Sequence, residues 1–400
     1  MTVHGRATLV RAGEDPAPRT PPEEDHARRI RVLHVGKYYP PVAGGMERVL
    51  QLLCEHERAV VDSEVLAVNT SSRTVRDRWR NVPVTRVGRL ASIGSVGVCP
   101  TFPLELRRRN ADLTVIHEPN PLALVSDLLT WQRAPLVVWY HSEVLRPAWK
   151  YRLMYRPFLT RVLNRAARIV VSSPKLAEHA AELQPYRGKC VAIPFGIELE
   201  RFEASAAVRR RAQTLRMRHN GPLLLFVGRL VPYKGVPVLI EALRGLAATA
   251  VIVGAGPLGD SLRAQADAAR VSDRVVFTGE VDEDELLALY LACDMFVLPS
   301  VTHAEAFGMV QLEAMACGRP VICTNVPSGV PWVNQHGETG LVVPPGDVEA
   351  LRAAIDELSR DEHLRARMGA AARRRVEREF TADRMAARTV ALYRDVLEGR

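Results

Sequence analysis

The stretch PSVTHAEAFGMVQLEAMACGRP, residues 299–320, holds two glutamates around a predicted helix start. Apolar residues recur at helical spacing after Gly308, and Gly318 followed by Pro320 provides a stop. The pattern therefore predicts a helix from about Gly308 to Cys317. Short apolar runs before and after it, MFVLPS and PVICT, indicate a strand on either side.

The predicted helix start suits a phosphate or a diphosphate, because the first turn of a helix presents unpaired N–H groups and partial positive charge. The amides at this start belong to Phe307, Gly308, Met309 and Val310. Glu305 lies just outside the start, and Glu313 lies five residues beyond Gly308, roughly 7.5 Å along the axis at about 1.5 Å per residue. Hydroxyl-rich groups on both sides of a diphosphate describe a sugar nucleotide. We therefore assign Glu305 to the sugar and Glu313 to the ribose.

The same stretch resembles the E-x7-E signature of the retaining GT-B glycosyltransferases, a large family known as group 1 that includes many mannosyl- and glucosyltransferases. Here it reads E-AFGMVQL-E, from Glu305 to Glu313, followed by AMACGRPV. Two glutamates at this spacing also fit a solvated helix face, but the flanking residues favour the motif. The resemblance implies an α/β protein with the GT-B fold, in which two Rossmann-like doubly wound parallel-sheet domains face a cleft.

The length of the chain also favours two domains, since its 400 residues exceed what one compact core usually holds. Apolar runs alternate with helical patterns in both halves, as in doubly wound sheets. The predicted divisions are a disordered tail over 1–28, an N-terminal acceptor-binding domain over 29–200, a C-terminal nucleotide-sugar-binding domain over 201–380, and a last helix over 381–400. In the family this helix crosses back to the N-terminal domain.

Candidate ligand-binding residues of the N-terminal half follow its predicted strands, because ligands bind parallel sheets at the carboxyl ends of strands. After the first strand, RVLHVG, the predicted strands are SEVLAV, VPVTRV, LTVIHE, LVVWYH, RIVVSS and KCVAIP. His141 follows LVVWY, where an ordinary hydrogen-bonding histidine is the alternative. Gly44 and Gly45 follow RVLHVG and allow a backbone to approach a ligand, and a plain strand-to-helix turn is the alternative. The resemblance implies a functional histidine at His141 and a loop for acceptor or phosphate at Gly44 and Gly45.

The second half repeats the pattern of the first, since FVGRLVPYKGVPVLIEAL echoes HVGKYYPPVAGGMERVLQLL. Arg229 and Lys234 follow the strand LLLFVG, and a planar guanidinium with a point charge suits a diphosphate. They match the diphosphate clamp of the family. Glu280 and Val281 match the place where the family's chain passes the nucleotide base.

A dinucleotide-binding motif supports an alternative function. Residues Gly254, Gly256 and Gly259 form a literal G-x-G-x-x-G, and Glu280 ends a later strand, as in NAD-dependent oxidoreductases. Pro257 weakens this alternative, because proline lacks an amide where the pyrophosphate would lie. A non-catalytic protein that binds a nucleotide sugar or a nucleic acid is a further alternative.

The segment 145–168 carries seven Arg or Lys, no acid and several aromatic residues. Such a segment fits a solvated helix over a core, an interfacial helix on an anionic membrane, or a nucleic-acid contact. The net charge of +9 is compatible with all three, but no nucleic-acid motif accompanies it, so we expect no nucleic-acid partner. No apolar run is long enough to span a bilayer. The six Cys form no C-x-x-C pair, which predicts reduced thiols in a cytoplasmic protein, peripheral on the inner face of the membrane if the basic segment binds lipid.

Motif and resemblance together predict a retaining transfer of a hexose from a nucleotide diphosphate sugar to a glycan or lipid-linked acceptor. The segments HAEAFGMVQLEAMACGRP and VPSGVPWVNQHGETG are similar to family members that build surface polysaccharides, often from GDP-mannose. No cofactor and no metal are expected, because Arg229, Lys234 and the helix amides already supply positive potential for the leaving diphosphate. In the family, the residues matching His141 and Glu305 steady the sugar while the acceptor hydroxyl attacks.

Overall fold

A computed structural model describes residues 29–93, 96–130, 133–143, 151, 153 and 155–399. The predicted tail over 1–28 lies outside the described residues, and so does much of the basic segment, namely 144–150, 152 and 154. The described chain forms two α/β halves, each built on a mainly parallel sheet. Within the described residues, no helix is long and apolar enough to cross a membrane.

The strands of the N-terminal half alternate with short helices. In chain order the strands are β1 (Arg31–Val35), β2 (Asp62–Val68), β3 (Val75–Trp79), β4 (Val82–Val87), β5 (Ala91–Ile93), β6 (Val96–Val98), β7 (Leu113–Glu118), β8 (Leu136–Tyr140), β9 (Arg168–Val171) and β10 (Cys190–Ala192). The helices are α1 (Gly45–Glu57), α2 (Phe102–Arg107), α3 (Pro121–Thr130), α4 (Arg156–Arg165) and α5 (Pro174–His179), with 3₁₀ turns at Ala181–Lys189 and Leu199–Phe202.

Eight of these strands form one sheet in the order β10-β9-β8-β7-β1-β2-β4-β3. All pair in parallel except β3, which runs antiparallel to β4 at the edge. The sequence VRDRW of β3 is largely exposed and charged, so it lacks the apolar alternation on which strand prediction depends. The hairpin of β5 and β6 is a separate two-stranded sheet. Neither β3 nor this hairpin was expected from the sequence.

The C-terminal half has a second, entirely parallel sheet. Its strands are β11 (Leu223–Val227), β12 (Thr249–Val253), β13 (Val275–Gly279), β14 (Met295–Leu298), β15 (Val321–Thr324) and β16 (Gly340–Val343), in the order β13-β12-β11-β14-β15-β16. Strands β11, β12, β14 and β15 are buried at every position. Helices cover both faces of such a sheet, which is why these strands read as continuous apolar runs.

The helices of this half include the one that the motif predicted. They are α6 (Ala206–Met217), α7 (Val236–Ala242), α8 (Gly259–Ala268), α9 (Glu283–Ala292), α10 (Met309–Ala316), α11 (Val330–Val333), α12 (Val348–Arg360), α13 (Glu362–Glu379) and α14 (Ala382–Leu397), with 3₁₀ turns at Pro232–Lys234 and Ser272–Arg274. Helix α10 agrees with the predicted helix to within one residue at each end. Asp282 caps α9 by accepting a hydrogen bond from the amide of Glu285. This carboxylate therefore stabilises the start of the helix.

The C-terminal helix α14 packs against α1 of the first half. His56 and Asp383 join the two helices, with 2.6 Å between Nδ1 and Oδ1. The two segments that connect the halves also lie side by side, because the amide of Ile197 donates to Phe380 O and the amide of Ala382 donates to Ile197 O, each at 2.9 Å. The chain thus passes twice between the halves at one place.

The cysteines are all free. Five are buried, and Cys190 is half-buried. The prediction of unpaired cysteines is therefore confirmed. Most of them pack as small apolar side chains, in keeping with the high burial of free cysteine in protein cores.

Candidate active site

A cavity of about 450 Å³ opens between the two halves. Its wall comes from loops that follow β1, β8, β11 and β14, so it lies at the carboxyl ends of both sheets, where parallel sheets bind ligands. The predicted residues on this wall are Gly44, Gly45, His141, Arg229, Lys234, Glu305, Phe307, Gly308, Met309 and Val310. The structure thus brings together residues from both halves of the chain.

Size alone does not identify this cavity. A groove of about 510 Å³ lies against α6, lined by residues that include Met217, Leu291 and Arg319. The cavity between the halves differs because cations, a carboxylate, a histidine and a helix start converge on it. Convergent polar groups in a concave pocket are typical of a ligand site.

Lys234 and Glu305 form an ion pair on the wall of the cavity. Their Nζ and Oε2 atoms are 2.5 Å apart, and each residue is only 8% exposed. Ser300 adds a hydrogen bond from Oγ to the same Glu305 oxygen at 3.3 Å. The sequence predicted both residues in the donor-binding site. Their contact with each other was not expected from the sequence.

A glycine in the turn after β11 brings Lys234 to Glu305. Gly235 has φ of +71°, and a Cβ there would lie 1.8 Å from Pro299 O. Only glycine tolerates both the left-handed backbone and this approach. The turn that carries Lys234 therefore packs directly on the end of β14, the strand that leads to Glu305.

The start of α10 forms another part of the wall. Gly308 precedes the helix with φ of +73°, and a Cβ there would lie 2.6 Å from Leu298 Cδ2. The buried Gln311 holds this loop, because its Nε2 donates to Phe307 O at 2.6 Å. The first turn of a helix leaves its N–H groups without intrahelical partners, so amides such as those of Met309 and Val310 are available to an anion.

Arg229 completes the cationic side of the cavity. It follows β11 and is exposed. Among the described residues no carboxylate forms an ion pair with it. A flexible, unpaired guanidinium at the rim is suited to bidentate contact with a phosphate.

His141 is buried directly after β8, with 3% of its surface exposed. Its Nε2 lies 2.9 Å from Nδ1 of His117, and its ring stacks on Phe195 with 5.3 Å between centroids. Burial lowers the pKa of His141 to about 3. The imidazole is therefore neutral near pH 7 and acts as a polar group without charge.

Three predicted residues do not line this cavity. Glu313 faces a smaller cavity of about 230 Å³ beside α9, where it accepts a hydrogen bond of 2.8 Å from the hydroxyl of Tyr290. Burial raises the pKa of Glu313. Glu280 and Val281 lie after β13, the edge strand of the second sheet, where Glu280 is exposed. Glu313 lies one helical turn beyond Met309, and its hydrogen bond to Tyr290 holds it toward α9.

The glycines of the G-x-G-x-x-G segment have a packing role. A Cβ on Gly254 would lie 2.2 Å from Gly228 O, and one on Gly256 would lie 2.5 Å from Leu230 O. The loop after β12 thus packs tightly on the loop after β11. Close packing between these two loops explains both glycines without a dinucleotide.

Sequence reasoning missed several groups that the structure places at or behind the wall. Phe195, Tyr233 and Ser142 line the cavity, and His117 with His34 lies behind His141. The histidines do have a sequence signal, because each lies near the carboxyl end of a predicted strand. Their contact depends on strand order and register, which the sequence pattern does not specify.

Two family profiles match the chain. The profile described as "Glycosyl transferases group 1" matches residues 209–375, and the profile described as "Glycosyltransferase Family 4" matches residues 43–201. The cavity lies between the regions that the two profiles cover, with walls from both.

Individual relatives extend over nearly the whole chain. D-rhamnosyltransferase WbpZ of Pseudomonas aeruginosa is 34% identical over 88% of this chain and 93% of its own length. O-antigen chain mannosyltransferase C of Escherichia coli is 33% identical over 93% of this chain and its full length. A GDP-mannose-dependent alpha-(1-6)-phosphatidylinositol monomannoside mannosyltransferase of Mycobacterium tuberculosis is 36% identical over 50% of this chain and 55% of its own.

A solved structure has the same fold. Sucrose-phosphate synthase from Thermosynechococcus elongatus superposes with a TM-score of 0.76 at 24% identity, over 93% of this chain and all of that chain. At this identity the likeness concerns the arrangement of the two sheets and their helices. It agrees with the two α/β halves of this chain.

Proposed function

The chain belongs to the group 1 glycosyltransferases, which have the GT-B fold, and we propose that it transfers a mannosyl group from GDP-mannose to a glycan or lipid-linked acceptor with retention. The observation that carries the proposal is the convergence of Arg229, Lys234, Glu305 and the start of α10 on one cavity. These groups suit a diphosphate joined to a sugar.

The diphosphate is proposed to lie between Arg229 and the first turn of α10. Helix amides and cations stabilise negative charge that grows on the leaving group as its bond to the sugar breaks. Lys234 pairs with Glu305 across the wall of the cavity. A bound diphosphate competes for the Lys234 ammonium, and Glu305 is then available to accept hydrogen bonds from sugar hydroxyls.

The choice of mannose and of GDP is supported by relatives. An O-antigen mannosyltransferase and a GDP-mannose-dependent mannosyltransferase are among them. The O-antigen relative also supports a role in surface polysaccharide synthesis. The acceptor is proposed to enter from the N-terminal half, past Gly44, Gly45 and His141. Glu313, Glu280 and Val281 remain proposed contacts of the nucleoside, which would extend from the diphosphate toward α9.

We propose that the acceptor hydroxyl attacks on the face that the diphosphate leaves, without a protein nucleophile and without a metal. The start of α10 beside Glu305 supports this, because it suits a phosphate, and an oxygen of the leaving phosphate can take the proton of the attacking hydroxyl. The cations and helix amides provide the charge stabilisation that a metal gives in other transferases. His141, neutral near pH 7, is proposed to hold a hydroxyl rather than a charge.

A thermal-shift screen tests the donor class, because a ligand that binds only the folded state raises the unfolding midpoint. We expect GDP and GDP-mannose to raise it and NAD to leave it unchanged. Arg229→Ala should abolish most of the shift, whereas Arg244→Ala should not, since Arg244 is exposed on the same half and pairs with Glu241. A shift with NAD and none with GDP or UDP would instead support the oxidoreductase.

Transfer itself is tested with radiolabelled GDP-mannose and membrane lipid or glycan acceptors. We expect activity in excess EDTA and a product with the anomeric configuration of the donor. Loss of activity in EDTA with recovery in magnesium would reject the metal-independent step. An inverted product would reject retention.

We also propose that the enzyme works at the inner face of the membrane and approaches anionic lipid through the surface around α4. Leu153 is 71% exposed and shortly precedes the exposed Arg156 and Arg161 in the chain, and Leu129, on the neighbouring helix α3, is 66% exposed. Apolar and cationic groups together favour an anionic interface. Co-sedimentation should show binding to phosphatidylserine vesicles that Arg156→Ala with Arg161→Ala weakens and Arg244→Ala does not. Equal binding to neutral vesicles would contradict this proposal.

A further inference from the structure

A buried chain of hydrogen bonds runs from the cavity wall into the N-terminal half. Nε2 of His141 lies 2.9 Å from Nδ1 of His117, and Nε2 of His117 lies 3.1 Å from Nδ1 of His34. Nε2 of His34 then lies 2.6 Å from Oε1 of Glu57. All four residues are at most 3% exposed, so water does not compete for these bonds.

The parallel register of the sheet produces this chain. His34 on β1 is opposite Val115 on β7, and His117 lies two residues beyond Val115. His117 is opposite Trp139 on β8, and His141 lies two residues beyond Trp139. Because side chains alternate between faces, steps of two residues keep all three histidines on one face. Each step also moves toward the carboxyl edge, where the cavity lies.

The carboxylate of Glu57 lies at the inner end of this hydrogen-bond chain, the end away from the cavity. It determines which nitrogen of each histidine donates. Oε1 of Glu57 lies 2.6 Å from both His34 Nε2 and Ser63 Oγ. An oxygen that serves both groups accepts from both, so His34 carries its proton on Nε2. A neutral imidazole has one donor and one acceptor nitrogen. With His34 in its neutral form, its Nδ1 accepts from His117, and Nδ1 of His117 accepts from His141.

We infer that Glu57, His34 and His117 are positioning residues that hold His141 as the Nε2–H tautomer, so that its Nδ1 accepts a hydrogen bond from a substrate hydroxyl. Nδ1 of His141 is buried and has no partner among the described residues. Among the six ring nitrogens of His34, His117 and His141, it is the only one without a hydrogen-bond partner in the described part of the chain. The side chain of His141 also lines the cavity. The inference rests on the proposed glycosyl transfer, which supplies the hydroxyl.

Burial keeps the two histidines nearest the cavity, His117 and His141, neutral. It lowers the pKa of His141 to about 3, and burial with the neighbouring histidines lowers the pKa of His117 well below its ordinary value. The bond between these two histidines therefore fixes a tautomer and carries no charge. Tyr393 of α14 lies beside the inner end, with 6.4 Å between its ring centroid and that of His34.

The cluster of His34, Cys54 and Glu57 at the inner end does not have the geometry of a metal site. Donor atoms of His34, Cys54 and Glu57 lie within 4.8 Å of one another. The 2.6 Å between His34 and Glu57 is shorter than the spacing of about 3.3 Å between two ligands of a tetrahedral ion with bonds of about 2.0–2.1 Å. Burial also raises the pKa of the Cys54 thiol well above its ordinary value, which disfavours a thiolate ligand.

The tautomer can be read directly by nitrogen NMR on protein labelled with ¹⁵N-histidine, with His141 assigned by its absence in His141→Gln. We expect a protonated Nε2 and an unprotonated Nδ1 at His141 in the wild-type enzyme. A protonated Nδ1 would overturn the inference, whatever any variant does. This measurement needs no substrate, so its result is independent of whether the proposed transfer is correct.

Substitutions of Glu57 test whether this residue affects transfer through His141. Glu57→Met removes the acceptor without adding a polar group, so we expect both tautomers at His141 and a fall in kcat of about tenfold or more, with the donor KM within about threefold. Glu57→Gln keeps an acceptor oxygen and should recover most of this loss. Ser63→Ala is the matched control, because it removes the other hydrogen bond to Oε1 and leaves the chain intact.

Thermal unfolding and the GDP shift show whether each variant is folded with a working donor site. A folded Glu57→Met enzyme with an unchanged tautomer, or with mixed tautomers and full kcat, would overturn the inference. If Glu57→Met does not fold, the wild-type spectrum decides the question. If no transfer is found but the predicted tautomer is observed, the proposed function has failed and the hydrogen-bond chain has not.

Discussion

At the scale of single residues, the ion pair of Lys234 and Glu305 is expected to affect both the stability of the protein and its proposed function. Both side chains lie on the cavity wall with little exposure, so each depends on the other to offset its loss of hydration. A substrate that carries its own anion can take over the role of Glu305 toward Lys234. We therefore propose that a bound donor rearranges this pair.

We predict that Glu305→Gln lowers kcat by about a hundredfold or more and destabilises the free protein by about 3 kcal/mol, because it leaves a buried ammonium without its carboxylate. The double variant Lys234→Met with Glu305→Gln should recover much of the stability but not the activity. Urea unfolding and initial rates measure the two effects. Full stability of Glu305→Gln would show that water reaches Lys234 and that the pair contributes little.

Glu118 at the end of β7 gives the protein a pH-dependent stability. Burial raises its pKa to about 7 from an ordinary 4.5, although Tyr155 and the amide of Asn120 donate hydrogen bonds to it. Between these two values the folded protein keeps a proton that the unfolded chain has released. Stability contributed by this group therefore falls as pH rises through that window.

We predict that Glu118→Gln gains about 3 kcal/mol of stability relative to wild type between pH 4.5 and pH 8, at about 1.4 kcal/mol for each pKa unit. Glutamine keeps the shape and cannot ionise, so only the wild-type protein pays for deprotonation. Urea unfolding at several pH values measures the difference. Glu178→Gln, an exposed control, should show no such trend, and a flat difference for Glu118→Gln would contradict the prediction.

At the scale of elements, α10 was predictable because glycines bound it at both ends. Gly308 and Gly318 have φ of +73° and +69°, and such positions leave a clear mark in sequence. The strands that the sequence predicted are also present in the structure, and most of them are buried apolar runs. Glycines at the ends of helices and the spacing of apolar residues thus predict much of this fold.

Other elements and contacts depend on information that is not local. The edge strand β3 is charged and exposed, so no apolar pattern marks it. The contact of Lys234 with Glu305 arises from a turn packed on the end of β14, and the histidine chain arises from strand register. The position of Glu313 in the neighbouring cavity depends on how α10 packs against α9 through Tyr290. None of these follows from spacing along the chain.

The two glycines of α10 provide a matched test of the helix start. Alanine at either position adds left-handed strain of about 1 kcal/mol. At Gly308 the new Cβ would also meet Leu298 at 2.6 Å, whereas at Gly318 the nearest atom is 4.0 Å away. We predict that Gly308→Ala weakens GDP binding at least about tenfold and Gly318→Ala leaves it within about twofold, as measured by calorimetry. Equal affinities would show that the diphosphate does not contact this start.

At the scale of the whole molecule, the two halves meet at a double crossing. Ile197 pairs with Phe380 and Ala382, and α14 returns to α1. Across the mouth of the cleft, His303 and Glu143 approach to 3.2 Å. We expect any motion of one half relative to the other to hinge at this crossing and to change the cavity, where the proposed donor groups come from one half and the proposed acceptor groups from the other.

We predict that donor binding closes the cleft, because a diphosphate held by the second half draws the loops of both halves around the sugar and excludes water. Small-angle scattering should show a smaller radius of gyration with saturating GDP-mannose than without it. A Cβ on Gly196 would lie 2.2 Å from Thr381 O, whereas one on Gly188 would meet nothing within 4 Å. Gly196→Ala should therefore disturb the crossing and reduce the compaction, and Gly188→Ala should not. An unchanged radius in the wild-type protein at saturating donor would show that the cleft is already closed in the free enzyme.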